Sequence, residues 1–260
     1  MIGALLLMAS APVSVPSRIV SNNPCIDAIL AEVAAPAQIA AISHYSNNPR
    51  ATSVDLKWAR RFRTIGDTAE EVLMMHPDLF LTGIPAPTAT TWAVKRANIR
   101  TVSVGVANTI AENQAQIMTI AEAVGNRAAG VKLVARIDAA VRDARATTKI
   151  PALIWQGGGL VPGQDSLASE MLKLSGFRNM GAAYGLVGWG TLPLEPVIMN
   201  PPRVVLSSGG NERDMVQRHS ALARLKGRTT LADFPEDMLF CGGPTIIRAM
   251  ARLKQIRMGL

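Results

Sequence analysis

Residues 70–81 read EEVLMMHPDLFL, and residues 195–206 read EPVIMNPPRVVL. In each, a Glu opens a short apolar segment, a Pro follows seven residues later, and an apolar run comes next. Proline removes a backbone donor and biases the residue before it toward extended backbone, so each copy reads as helix, break, strand. One copy lies in each half of the 260-residue chain. An element that recurs once per half predicts two similar lobes, each with an exposed Glu on an equivalent surface.

The flanking sequence agrees. In the first half, Arg18–Ser21 reads as a strand ending in an Asn-Asn-Pro turn, and Cys25–Val33 has helical spacing. Ile39–Ser43 is a strand followed by a polar loop, His44–Arg50. Asp55–Phe62 and Thr68–Met75 read as helices, Leu79–Thr82 as a strand, Thr91–Ala97 as a helix and Arg100–Val104 as a strand. Alternation with short connections predicts an α/β fold with mainly parallel sheets. After a helix over 110–124, residues 127–147 keep Leu133, Val134, Ile137, Val141 and Ala144 apolar, with Lys132, Arg136, Asp143 and Arg145 opposite. A single amphipathic helix of about 20 residues spans about 30 Å and can brace two lobes. Alternation then restarts, with strands at Ala152–Trp155 and Arg203–Ser207, a further short run at Thr229–Leu231, and helices at Ser166–Leu174, Glu212–Leu225 and Thr245–Ile256. The expected divisions are a signal segment 1–17, an N-lobe 18–124, an interlobe helix 125–148 and a C-lobe 149–260.

Composition sets bounds on function. Hydrophobic residues make up 48% and charged residues 18%, enough apolar material for a large core. Two cysteines exclude a disulfide-dense scaffold or a Cys-rich zinc site, and His44, His76 and His219 lack the spacing of a helix-borne metal pair. No apolar run approaches the ~20 residues needed to cross a bilayer. The chain carries no GxSxG, HExxH, CxxC or phosphate-loop motif, so an α/β enzyme is the weaker reading and neither metal nor cofactor is expected. Net charge is +8, spread over helices with no aromatic interleaving, so nucleic acid is not an expected partner. At the N-terminus, MIGALLLMASAPVSVPS combines an uncharged apolar run with the small-x-small triplet Ala9-Ser10-Ala11. This pattern is an export signal without its basic start, the other reading being an N-terminal strand or tail.

Taken together, RIVSNNPCIDAIL, IAAISHYSNNPRA, GDTAEEVLMMHPDLFLTG, the 127–147 helix, WGTLPLEPVIMNPPRVVL and FCGGPTIIRAM resemble the periplasmic substrate-binding proteins of ABC importers for cobalamin and ferric siderophores. The likeness covers the chain after residue 17. It implies two Rossmann-like lobes joined by a rigid helix, a periplasmic monomer, a metal chelate held in the cleft without catalysis, and a permease with its ATPase as partners. By motif position, it implies that Glu70 and Glu195 dock onto the permease. The competing reading is that both carboxylates serve only their own helix N-termini. A heme-binding or sensory protein of the same fold is the alternative within the class.

Ligands of open parallel sheets sit beyond the carboxyl ends of the strands. The loops there carry Asn23, His44, Tyr45, Trp92, Trp155, Gln156, Tyr184 and Trp189. Trp and Tyr offer rigid contact area with one polar handle, which suits a bulky, partly apolar chelate. Core packing is the competing reading for each Trp, evenly balanced at Trp155 and favoured at Trp58. The glycines of Gly157–Gly163 lack phosphate-loop spacing and read as close backbone approach to a ligand. Cys25 and Cys241 fall one per lobe near the cleft rim, either paired across it or as two buried thiols, which the distance between their Cα atoms decides.

Overall fold

The computed structural model describes residues 14–84, 87–207 and 227–260. The expected helix 212–225, most of the expected signal segment, His219, and parts of the loops after residues 84 and 207 lie outside them.

The N-lobe is built on strands β1 (Ile19–Ser21), β2 (Ile39–Ser43), β3 (Arg63–Ile65), β4 (Leu79–Gly83) and β5 (Arg100–Val104). All pair in parallel, in the order β3-β2-β1-β4-β5. Helices α1 (Pro24–Val33), α2 (Leu56–Ala59), α3 (Ala69–Met74), α4 (Thr88–Arg96) and α5 (Ile110–Ala123) connect and cover them. The C-lobe holds β6 (Ile150–Trp155), β7 (Leu160–Pro162), α7 (Leu167–Leu174), β8 (Phe177–Asn179), α8 (Met180–Ala183), β9 (Trp189–Thr191), α9 (Leu194–Met199), β10 (Val204–Ser207) and β11 (Thr230–Asp233). Its main sheet is also parallel, ordered β11-β10-β6-β8. Strands such as β1, β4 and β10 are buried along almost their whole length, as strands covered on both faces must be.

Three elements depart from the sequence reading. The expected helix 55–62 is a single turn, capped by Asp55 accepting from the Trp58 N–H at 2.9 Å, and edge strand β3 follows it. Only Ile65 of β3 is buried, so the strand shows no alternating pattern to read. Strand β8 was equally silent, being three residues long. The Gly157–Gly163 segment is a glycine turn followed by β7, which pairs antiparallel with β9. Its close backbone contact is internal, with the Gly163 N–H donating to the Gly188 carbonyl at 2.9 Å.

Helix α6 (Arg127–Ala144) runs between the lobes, about 27 Å at 1.5 Å per residue. Leu133, Ile137, Val141 and Ala144 bury one stripe. They join a single core with Ile117 and Ile120 of α5 and with Met250 and Leu253 of the C-terminal helix, Thr245–Met258. At Gly130 a Cβ would lie 2.5 Å from the Ala121 Cβ, so glycine is what lets α6 settle onto α5. A second span closes the structure. After β11, residues 234–244 return to the N-lobe, where the Ser53 hydroxyl donates to the Asp237 carbonyl at 2.6 Å and the Gly243 N–H donates to Asn113 Oδ1 at 2.9 Å. Cys25 of α1 and Cys241 of this strap form a disulfide, their Cα atoms 5.0 Å apart. Of the expected signal segment, residues 14–17 are described. Pro16 is buried, and the Ser17 N–H and hydroxyl both donate to Asp78 Oδ2, at 2.7 and 2.8 Å.

Asp27 of α1 is fully buried, and its Oδ2 accepts from the Ser43 N–H at 2.9 Å and the Ser46 hydroxyl at 2.6 Å. It therefore holds the turn that carries His44 and Tyr45. Burial pushes its carboxyl from 3.8 up to about 7, against the pull of hydrogen bonds from Ser21, Ser46 and Ser43. Between these values the folded chain keeps a proton that the unfolded chain has lost. The resulting stability is complete below about pH 4 and disappears as pH rises through about 7. Urea unfolding of the wild type should show this decline, and Asp27→Asn should lose it, at about 1.4 kcal/mol per pK unit. An identical pH profile in the variant would assign the decline to other groups.

The disulfide cross-links positions 216 residues apart. Such a bridge restricts the unfolded chain strongly. Replacing both cysteines by Ala should lower the unfolding free energy by about 2–5 kcal/mol. Coincident denaturation curves for the oxidised protein and the variant would refute this.

Candidate ligand-binding cleft

In sheet order β3-β2-β1-β4-β5 the chain reverses direction of travel between β1 and β4, and ligands of such sheets bind in the crevice beyond that point. Asn22 and Asn23 follow β1 there. A cavity of about 190 Å³ lies beside them, between the lobes. Its N-lobe wall is the start of α1, the Gly105–Asn108 loop after β5, and Asn113 and Gln116 of α5. Its C-lobe wall is the first turns of α7 and Trp189 of β9. The strap residues Met238–Gly243, with the Cys25–Cys241 disulfide, complete it.

Three amide side chains of the lining are held in place. Asn23 Oδ1 caps α1, accepting from the N–H groups of Cys25 at 2.9 Å and Ile26 at 3.3 Å. Gln116 Nε2 donates to the Gly105 carbonyl at 2.7 Å, which fixes the loop after β5. Asn113 is buried against the strap, and a Cβ at Gly242 would fall 2.3 Å from its Nδ2. Among the described residues, no titratable side chain lines the cavity. The remaining surface is apolar, from Ile26, Ile29, Val104, Leu167, Met171 and Phe240 among others. Such a surface can enclose and orient a ligand, and it presents no nucleophile or base to one. At the rim, the Glu170 carboxylate of α7 accepts the Ile110 N–H at the start of α5, an interlobe hydrogen bond.

Of the residues expected at the site, Asn23 and Trp189 line the cavity, Trp189 being 41% exposed. His44 and Tyr45 sit on the turn after β2, outside the cavity lining, their rings 4.0 Å apart; His44 Nδ1 lies 3.2 Å from the Ile65 carbonyl and Tyr45 is 45% exposed. Trp92 stands on the exposed face of α4 with the Arg96 guanidinium 4.7 Å over its ring. Trp155 is 3% exposed and packs with Val161, Met180 and Leu192, the core alternative of the sequence reading. Gln156 is half-buried, its N–H donating to the Leu160 carbonyl. The Tyr184 hydroxyl donates to the Asn200 carbonyl at 2.6 Å, and burial pushes that phenol up to about 12. Tyr184 thus braces the end of α9. Asn113, Gln116 and the strap residues Met238–Phe240 were not anticipated, whereas Cys241 is where the sequence reading expects it, at the cleft. One signal was present: two amides at i and i+3 on a helix whose neighbours on that face are apolar.

Glu70 and Glu195 are the second residues of α3 and α9, both exposed and both without a hydrogen bond or ion pair among the described residues. The neighbouring Glu71 is occupied. The Thr68 hydroxyl donates to its carboxylate at 2.8 Å, which with other nearby groups holds that carboxyl below its usual range.

Comparison with solved structures shows the same architecture. The chain aligns with the heme-binding protein RhuT of Roseiflexus sp. RS-1 at 20% identity and TM-score 0.73, over 94% of this chain and 97% of that one. For the heme-binding protein HutB of Vibrio cholerae the values are 17%, 0.76, 92% and 98%. For the vitamin B12-binding protein BtuF of Vibrio cholerae they are 18%, 0.72, 95% and 99%. No curated protein sequence matches this one significantly. The sequence profile of the periplasmic binding proteins, however, matches residues 19–233, most of the chain, and with two parallel-sheet lobes braced by α6 this protein belongs to that family.

Proposed function

We propose that this protein is the solute-binding component of an ABC importer, exported by its N-terminal segment, that takes a metal chelate into the interlobe cleft and delivers it to the permease. The cavity at the switch point of the N-lobe sheet, walled by both lobes and edged by Trp189, carries this reading. Its lining favours an uncharged chelate. Amide side chains and apolar surface match cobalamin, whose corrin ring is rimmed with amides, or a ferric hydroxamate. A ferric catecholate brings net negative charge and calls for cations, which the described lining lacks. The neighbours named as binding vitamin B12 and heme support the chelate class. A heme reading has its own observation, the exposed Tyr45 stacked on His44, since Tyr and His are side chains that ligate heme iron. A cavity of about 190 Å³ is smaller than pockets that enclose a drug-sized ligand, at roughly 300–1,000 Å³. The lobes therefore part to admit the chelate, and α6 and the strap keep that motion small.

Tryptophan fluorescence titration with cobalamin, a ferric hydroxamate, a ferric catecholate and heme tests the reading. Saturable quenching by cobalamin or the hydroxamate is expected, and Trp189→Ala should weaken it about tenfold or more without lowering the melting temperature. Silence toward all four overturns the reading, and a response to heme alone moves the site to Tyr45 and His44.

Permease docking through Glu70 and Glu195 is the second part of the proposal. Each is unpaired, exposed and at the same place on its lobe. Glu70→Ala combined with Glu195→Ala should cut uptake by cells about tenfold or more while chelate binding in solution stays unchanged. Wild-type uptake by the double variant would remove these residues from docking.

A further inference from the structure

Helices α3 and α9 repeat more than a glutamate. Glu70-Glu-Val-Leu-Met74 and Glu195-Pro-Val-Ile-Met199 place the same kinds of residue at every offset but the second. Val72 and Val197 are buried and pin each helix to its lobe. Four residues after each Glu comes a methionine, on the same helix face by the i, i+4 relation. Met74 is 70% exposed and Met199 is 85% exposed, the most open large apolar side chain among the described residues. A lone apolar residue on a surface needs no explanation. Two at one offset in two copies of one element, one copy per lobe, do. Neither helix carries a basic residue in its last turn, although the chain has net charge +8. Each lobe thus presents a carboxylate and, about 6 Å along the helix, an unbranched thioether. Methionine adapts its shape to the surface it meets and is frequent in binding faces for that reason.

We propose that Met74 and Met199 are the apolar half of the surface that docks the permease. Each seats in an apolar socket next to the basic group that receives Glu70 or Glu195. This rests on the docking role proposed above for the two glutamates. The partner surface is correspondingly twofold, with a cation and an apolar socket about one helical turn apart on each half. The carboxylates set encounter and register, since charges at an interface act chiefly on those. The methionines supply the dry contact that slows release.

The test uses the intact, oxidised protein and the purified permease–ATPase complex in lipid nanodiscs, with capture measured by surface plasmon resonance. Met74→Ser with Met199→Ser should weaken capture about tenfold, mainly by faster dissociation, at an unchanged melting temperature. Met74→Leu with Met199→Leu should retain most of the affinity, because the apolar volume is kept. Wild-type capture by the Ser pair, with weak capture by the Glu70→Ala, Glu195→Ala pair, overturns the methionine role and leaves docking through the glutamates standing. A Leu pair as weak as the Ser pair overturns the apolar socket. Wild-type capture by the glutamate pair removes the docking reading and the methionine role with it.

Discussion

The seam along α6 is the constraint on which the molecule depends. Leu133, Ile137 and Val141 sit between Ile117 and Ile120 on one side and Met250 and Leu253 on the other, so that one apolar core runs from lobe to lobe. Separating the lobes at this seam would expose that core. At about 25 cal/mol per Å² of apolar surface, even a few hundred square ångströms is several kcal/mol, comparable with the whole stability of a domain. The cavity is closed by a second span as well, the disulfide-tethered strap.

The same strap explains the chemistry of the cavity. Cys241 and Gly243 are fixed to α1 and α5, and Asn113 is spent on holding Gly243. Other amides of the lining are likewise engaged by backbone, Asn23 at the α1 cap and Gln116 on the β5 loop. A lining of this kind offers little net field. Under the proposed function, selection among ligands rests on shape and on indole and aliphatic contact.

The fold was readable because its signals are local. Parallel strands such as Ile39–Ser43 and Leu79–Gly83, and the stripe of α6, write their burial into residue type at short range. Strands β3 and β8 carry three residues each and no pattern of their own, so only pairing in three dimensions defines them. The cavity lining was legible in part for the same reason. Asn23 could be placed because it follows a strand, and Trp189 because it is an aromatic in a glycine-rich loop. Trp155 has the same residue type, yet it points into the C-lobe core, since alternation along β6 and not chemistry decides its face. Asn113 meets the strap through a contact between positions 130 residues apart in sequence, which no local pattern encodes.

The cavity and the two glutamates share one end of each lobe. Helix α3 leaves β3 at its carboxyl end and feeds the amino end of β4, and α9 feeds the amino end of β10. The first turns, with Glu70 and Glu195, therefore lie toward the strand ends that edge the cavity. The seam and the strap tie the two lobes together, so under the docking role proposed for Glu70 and Glu195 a rigid partner meets α3 and α9 at a nearly fixed spacing. On that proposal, discrimination between loaded and empty protein falls to small shifts where the Glu170 carboxylate bridges from α7 to the first N–H of α5.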